Sequence, residues 1–226
     1  YGQYVLHYAE LCRKCGVDML CIGVELVLPA TTHEQQWRDL ITKVRAVYPG
    51  PLTYQANWSP LSYNAPPAVL MQEGKWNAEY RAVKFWDALD HASLCCYFPL
   101  SGNPDPSEDD LCTSWQPWLE DLRRWQEGIG RPVLLGEAGY HSCDGAAVRV
   151  YEHEKPGPRN VALQSRCYES LLKTFWKEPW VVGVFWWFAC PRGEWGVDKE
   201  GKGFPFLGKP AEEVLRRWFT AGGEKP

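Results

Sequence analysis

The sequence predicts an α/β chain of the (β/α)8, TIM-barrel type. Three observations predict it: five short apolar runs that read as strands, helical periodicity between them, and acidic or aromatic residues at the strand ends. No hairpin turn signal joins any two runs, so the strands are expected to be parallel and linked by right-handed crossovers. In barrels of this type the loops after the strands build the active site at one face. A doubly wound sheet fits less well. Gly128-Ile129-Gly130 leads into Arg131-Pro132 and a strand instead of opening a helix, and Gly201-Lys202-Gly203 lacks the phosphate-loop pattern.

Taken in order, residues 1–15 place Val5, Tyr8, Leu11, Cys12 and Cys15 at helical spacing, with Gly16 where a helix stops. Residues 18–24 form an apolar run suited to a strand buried on both faces, ending on Glu25. Thr32 with Gln35 reads as a capping box opening a helix to Tyr48, which Pro49-Gly50-Pro51 ends before a strand at 52–56. Residues 59–77 form a loose stretch rich in Pro and Asn, 78–89 a helix and 93–97 a strand. Helices at 114–128, 161–177 and 211–220 and strands at 132–136 and 181–187 complete the pattern. A full barrel has eight strands in typically about 250 residues. Five strands in 226 residues, opening in a helix and without an initiating Met, predict one catalytic barrel domain over residues 1–226 with a missing N-terminal portion.

The net charge of -4 offers no basic field, and Lys and Arg are scattered, which argues against nucleic acid and anionic membrane as partners. No apolar run approaches the roughly 20 residues that span a bilayer. The first residues show no basic start, apolar stretch and cleavage site of a signal peptide, so compartment is unassigned. Of nine cysteines, most lie in apolar segments, as Cys21, Cys95, Cys96 and Cys190 do, and read as reduced core residues. Cys12 and Cys15 have CxxC spacing without a second pair, and the five histidines have no metal-site spacing, so no metal is expected. His141 reads as a solvated loop residue.

Glu25 and Glu137 each end an apolar run, where a carboxylate is either satisfied by a structural partner or held for a purpose. Glycosidic bond cleavage needs such a pair: one carboxyl protonates the leaving oxygen while the other attacks the anomeric carbon or activates water, with no cofactor. Thirteen Trp residues add flat apolar surfaces suited to sugar faces. Core filling explains most of them. Trp58 and the Trp186-Trp187 pair stand at strand ends, whereas Trp76 and Trp195 fall in loops.

These residues, with Gly23-Val24-Glu25-Leu26, Leu52-Thr53-Tyr54, Ala56-Asn57-Trp58, Phe85-Trp86-Asp87-Ala88-Leu89-Asp90, Tyr97-Phe98-Pro99-Leu100, Gly136-Glu137-Ala138-Gly139-Tyr140 and Gly183-Val184-Phe185-Trp186-Trp187, make a chain that resembles glycoside hydrolase family 113. The known members of that family are β-mannanases within the retaining barrel glycosidases. The resemblance implies that strands four to eight of the barrel are represented, with Glu25 ending the fourth as general acid/base and Glu137 the seventh as nucleophile. It implies that Tyr97 holds the nucleophile, that Asn57 and Trp58 bind substrate, and that Trp186 or Trp187 is the platform under the sugar. Alternation puts these two Trp on opposite faces, so one serves. The implied substrate is a β-1,4-mannan polysaccharide or oligosaccharide, with glucan or xylan and a non-catalytic carbohydrate-binding relative as alternatives. Cys95 stands where the family pattern commonly has Asp, and Phe188-Ala189-Cys190 replaces a more polar stretch; both bear on sugar specificity.

Overall fold

Apolar runs too short for helices, each followed by a loop, become five strands hydrogen-bonded in chain order: β1 (Leu20–Val24), β2 (Leu52–Ala56), β3 (His91–Cys95), β4 (Val133–Ala138) and β5 (Val181–Trp186). β1 pairs with β2 and β2 with β3, both in parallel. The computed structural model describes residues 1–59, 78–152, 157–190 and 200–220. Its helices are α1 (Gly2–Cys15), α2 (Val27–Thr32), α3 (Glu34–Val47), α4 (Glu79–Ala82), α5 (Glu108–Ile129), α6 (Val161–Phe175) and α7 (Pro210–Thr220). Trp76, Trp195 and all of the expected loop at 59–77 except Ser59 lie outside the described residues. No described helix is long and apolar enough to cross a membrane.

The chain divides into two compact units, Tyr1–Cys95 with Trp125–Gly136, and Cys96–Arg124 with Glu137–Pro226, so that α5 and β4 each run from one unit into the other. In the first unit α1 stops at Gly16, whose φ of 64° suits a residue without a Cβ. Trp37 of α3 lies edge-on to Tyr54 of β2 and stacked on Phe85, with ring centroids 5.2 Å apart in both cases. The Asp90 carboxylate accepts the Leu52 N–H at 2.8 Å and an Arg45 N–H at 2.9 Å, fixing the start of β2. In the second unit the Asn160 side chain caps α6 by accepting the Leu163 N–H at 2.9 Å. Gln164 donates to the carbonyls of Tyr140 and Phe204 at 2.9 and 3.0 Å. Glu169 of α6 accepts from Arg217 and from the Trp218 indole of α7.

Three expectations are corrected. Thr32 does not open a capping box: it belongs to α2, its hydroxyl donates to the Leu28 carbonyl at 2.6 Å, and α3 follows with His33 at its N-cap and no side-chain cap. The helix expected at 78–89 is α4 followed by a single 3-10 turn, Trp86–Ala88. Tyr80, Val83, Phe85, Trp86 and Leu89 are all buried, and at 100° per residue they would occupy more than half of a helix's circumference, so extended chain at Val83 lets each reach the core. The third is the reading of most cysteines as core residues: Cys21 is exposed and Cys190 half-buried, and of the nine free cysteines only Cys95, Cys96, Cys143 and Cys167 are buried.

Candidate active site

In the first unit Glu25 follows β1 and is held by its backbone. Its N–H donates to the Gln55 carbonyl at 2.8 Å, and the next residue, Leu26, donates its N–H to the Tyr54 hydroxyl at 2.9 Å. Among the described residues Glu25 alone, glycines apart, has positive φ, at 50°. A left-handed L-residue costs on the order of 1 to 2 kcal/mol. The conformation turns the chain sharply out of β1 into α2, where Pro29 is tolerated in the first turn because no intrahelical bond needs its N–H. Although it ends an apolar run, the Glu25 residue is exposed.

The carboxylate that is sequestered in this unit is Glu79, with no exposed surface. It accepts from the Tyr54 hydroxyl and, at 2.6 Å, from the Asn57 N–H. Burial raises its pKa and the nearby Glu25 charge adds to the rise, against the two donors, which favour the ionised form. Sequence reasoning missed Glu79 because an acid in the first turn of a helix is ordinary. The available signal was Tyr54, a phenol in a fully buried strand that needs a polar partner. Asn57 and Trp58 follow β2 directly; Asn57 is half-buried, its side-chain oxygen accepts the Ser59 N–H at 2.7 Å, and Trp58 is buried.

In the second unit Glu137 lies inside β4 in regular strand geometry and is half-buried. The Tyr97 hydroxyl donates to its Oε2 at 2.9 Å. Two glycines flank it. A Cβ on Gly136 would stand 2.2 Å from Gln55 Oε1 and 2.3 Å from Ser93 Oγ, and one on Gly139 would stand 2.1 Å from the Trp187 carbonyl oxygen. At Gly139 the obstacle is backbone, so a side chain would force the chain apart, whereas at Gly136 the Gln55 and Ser93 side chains would have to give way. Trp187 donates its N–H to the Ala138 carbonyl at 2.7 Å, and the Trp187-Phe188 peptide bond is cis.

The two adjacent tryptophans part as alternation requires. Trp186 stacks on Tyr168 of α6, with centroids 4.2 Å apart and planes at 12°, whereas Trp187 is 44% exposed. Trp187 is therefore the more exposed of the two. His141, expected in solvent, is buried: its ring lies 3.8 Å from Phe204 and its Nε2 is 2.6 Å from the Glu152 carbonyl oxygen. No group of three or more His, Cys, Asp or Glu among the described residues is arranged to hold a metal.

The family model for Glycoside Hydrolase Family 113 matches residues 1–195. The chain belongs to glycoside hydrolase family 113. The solved family 113 β-mannanase AaManA from Alicyclobacillus acidocaldarius, in complex with ManMIm, is 28% identical with a TM-score of 0.73, the match covering 98% of this chain and 61% of that one. A second structure, of a family 113 β-1,4-mannanase, is 25% identical with a TM-score of 0.75, covering 98% of this chain and 62% of that one. A Bifidobacterium dentium β-glucuronidase, complexed with coumarin-3-O-glucuronide, shares the fold at 18% identity and a TM-score of 0.61, over 98% of this chain and 34% of that one. No curated protein matches. The chain spans 61 to 62% of the length of the two mannanase structures, and its parallel α/β sheet matches the barrel-type fold of that family.

Proposed function

We propose that this family 113 chain serves a retaining glycoside hydrolase that cleaves β-1,4-mannosidic linkages, with Glu25 as general acid/base and Glu137 as nucleophile. The observation that carries the reading is the Tyr97 hydroxyl on Glu137, 2.9 Å from Oε2. A carboxylate oxygen that accepts a directed hydrogen bond is oriented, and orientation is what attack on a single carbon requires. In the proposed cycle Glu25 protonates the glycosidic oxygen as the Glu137 carboxylate bonds to the anomeric carbon and the leaving group departs. Water then attacks the glycosyl ester, giving its proton to Glu25 and freeing Glu137. Trp187, the more exposed of the pair, is the platform under the sugar, and Asn57 and Trp58 contribute from the end of β2. The mannan assignment draws on the family 113 β-mannanases at 25 to 28% identity.

Reducing-sugar release from β-1,4-mannan by the full-length natural protein, beside Glu25→Gln and Glu137→Gln, tests this. Release should fall at least ~100-fold with either substitution, the lower end for loss of a positioned acid or base. Activity confined to glucan or xylan would move the substrate, and binding of mannan with no cleavage by the wild type would reject the hydrolase.

A further inference from the structure

A buried acid with no surface is an expensive group to keep, and removing it from water is tolerated only when donors satisfy it. Glu79 has two, and both lead to the loops that carry candidate site residues. One is the Asn57 N–H at the end of β2, at 2.6 Å. The other is the Tyr54 hydroxyl, which in turn accepts the Leu26 N–H at 2.9 Å, one residue beyond Glu25. On its other side Glu25 is fixed by its own N–H on the Gln55 carbonyl at 2.8 Å. The backbone is thus tied immediately before and after the one non-glycine residue with positive φ among those described. A left-handed glutamate persists only when its surroundings over-determine it.

We propose that Glu79 is a positioning residue that, through Tyr54 and Leu26, holds the turn at Glu25 in the geometry from which the Glu25 carboxyl reaches the leaving oxygen. This rests on the reading of Glu25 as the general acid/base. Burial keeps Glu79 from substrate, so it acts through the backbone it anchors. The Glu25 charge that contributes to the raised pKa of Glu79 is a further sign that the two carboxylates are near one another.

Proton donation is what a misplaced acid loses, and its need depends on the leaving group. A dinitrophenol departs without protonation, whereas a sugar hydroxyl does not. The experiment therefore measures kcat/KM on mannan and on a dinitrophenyl β-mannoside for the wild type, Glu79→Gln, Tyr54→Phe and Glu25→Ala. Glu25→Ala should collapse on mannan and hold on the dinitrophenyl substrate, with azide restoring its kcat. Glu79→Gln and Tyr54→Phe should follow the same pattern more weakly, ~10- to 100-fold down on mannan, the range set by displacing a catalytic group by about an ångström. They should stay within about threefold of wild type on the activated substrate, because the acid alone is misplaced. Equal losses on both substrates, or none on either, for these two variants while Glu25→Ala behaves as stated would overturn the role of Glu79. If Glu25→Ala itself loses both substrates equally, the acid/base reading fails and the inference with it. Should Glu79→Gln not fold, Tyr54→Phe decides, since it leaves the carboxylate in place and cuts the link to Leu26.

Discussion

The two candidate carboxylates are held in opposite ways. Glu137 sits within β4 in ordinary strand conformation, and its control is exerted at the side chain, through the Tyr97 hydroxyl at 2.9 Å. Glu25 stands just outside β1 with φ of 50°, and its control is exerted at the backbone, through bonds from Glu25 and Leu26 to β2. The difference fits the proposed roles. A nucleophile that attacks one carbon needs a fixed oxygen, and a directed hydrogen bond to a strand residue supplies it. An acid that must later act as a base has to return its carboxyl to the same place twice, and a fixed stem serves that.

That contrast can be broken from either side. The larger effect is expected at Glu137: Tyr97→Phe removes a hydrogen bond to a charged group, worth ~1.5 to 3 kcal/mol. Because this bond fixes the attacking oxygen before substrate arrives, kcat/KM on mannan should fall ~10- to 100-fold. Steady-state kinetics check this, and an unchanged kcat/KM would remove Tyr97 from the site. The smaller effect is expected at Glu25. Glu25→Gly relieves a left-handed residue at a gain of about 1 to 2 kcal/mol, offset by ~0.5 to 1 kcal/mol of extra chain entropy in the unfolded state. The melting temperature should rise by ~2 to 4 °C as mannan cleavage is lost. A fall would mean that contacts of the Glu25 side chain outweigh the strain.

The strands were legible in the sequence because apolar runs of five or six residues bounded by Pro, Gly and polar residues leave little choice, and β2 at Leu52–Ala56 matches its expected bounds. The first turns of α5 were legible too but went unread: Ser107 and Asp110 exchange hydrogen bonds as a reciprocal cap, each backbone N–H meeting the other's side chain at 3.1 Å. What a one-dimensional reading lacked was burial without periodicity. Residues 78–89 carry apolar residues on every side, so helical spacing could not distinguish a helix from a turn pinned by several aromatics. Glu79 was hidden because an acid in a first helical turn is ordinary and its partner Tyr54 lies 25 positions away. The two candidate carboxylates were more readable than what holds them: an acid at the end of an apolar run stands out, whereas a positive φ on glutamate has no signature in composition or spacing.

The most direct test of the central claim is to trap the enzyme with a fluorinated mannosyl fluoride that forms the glycosyl ester quickly and hydrolyses slowly, then to digest it and locate the added sugar mass by tandem mass spectrometry. The account predicts one sugar per chain, on Glu137, with labelling strongly slowed in Tyr97→Phe. A label on any other residue, or turnover of mannan with inverted anomeric configuration and no label at all, would contradict it.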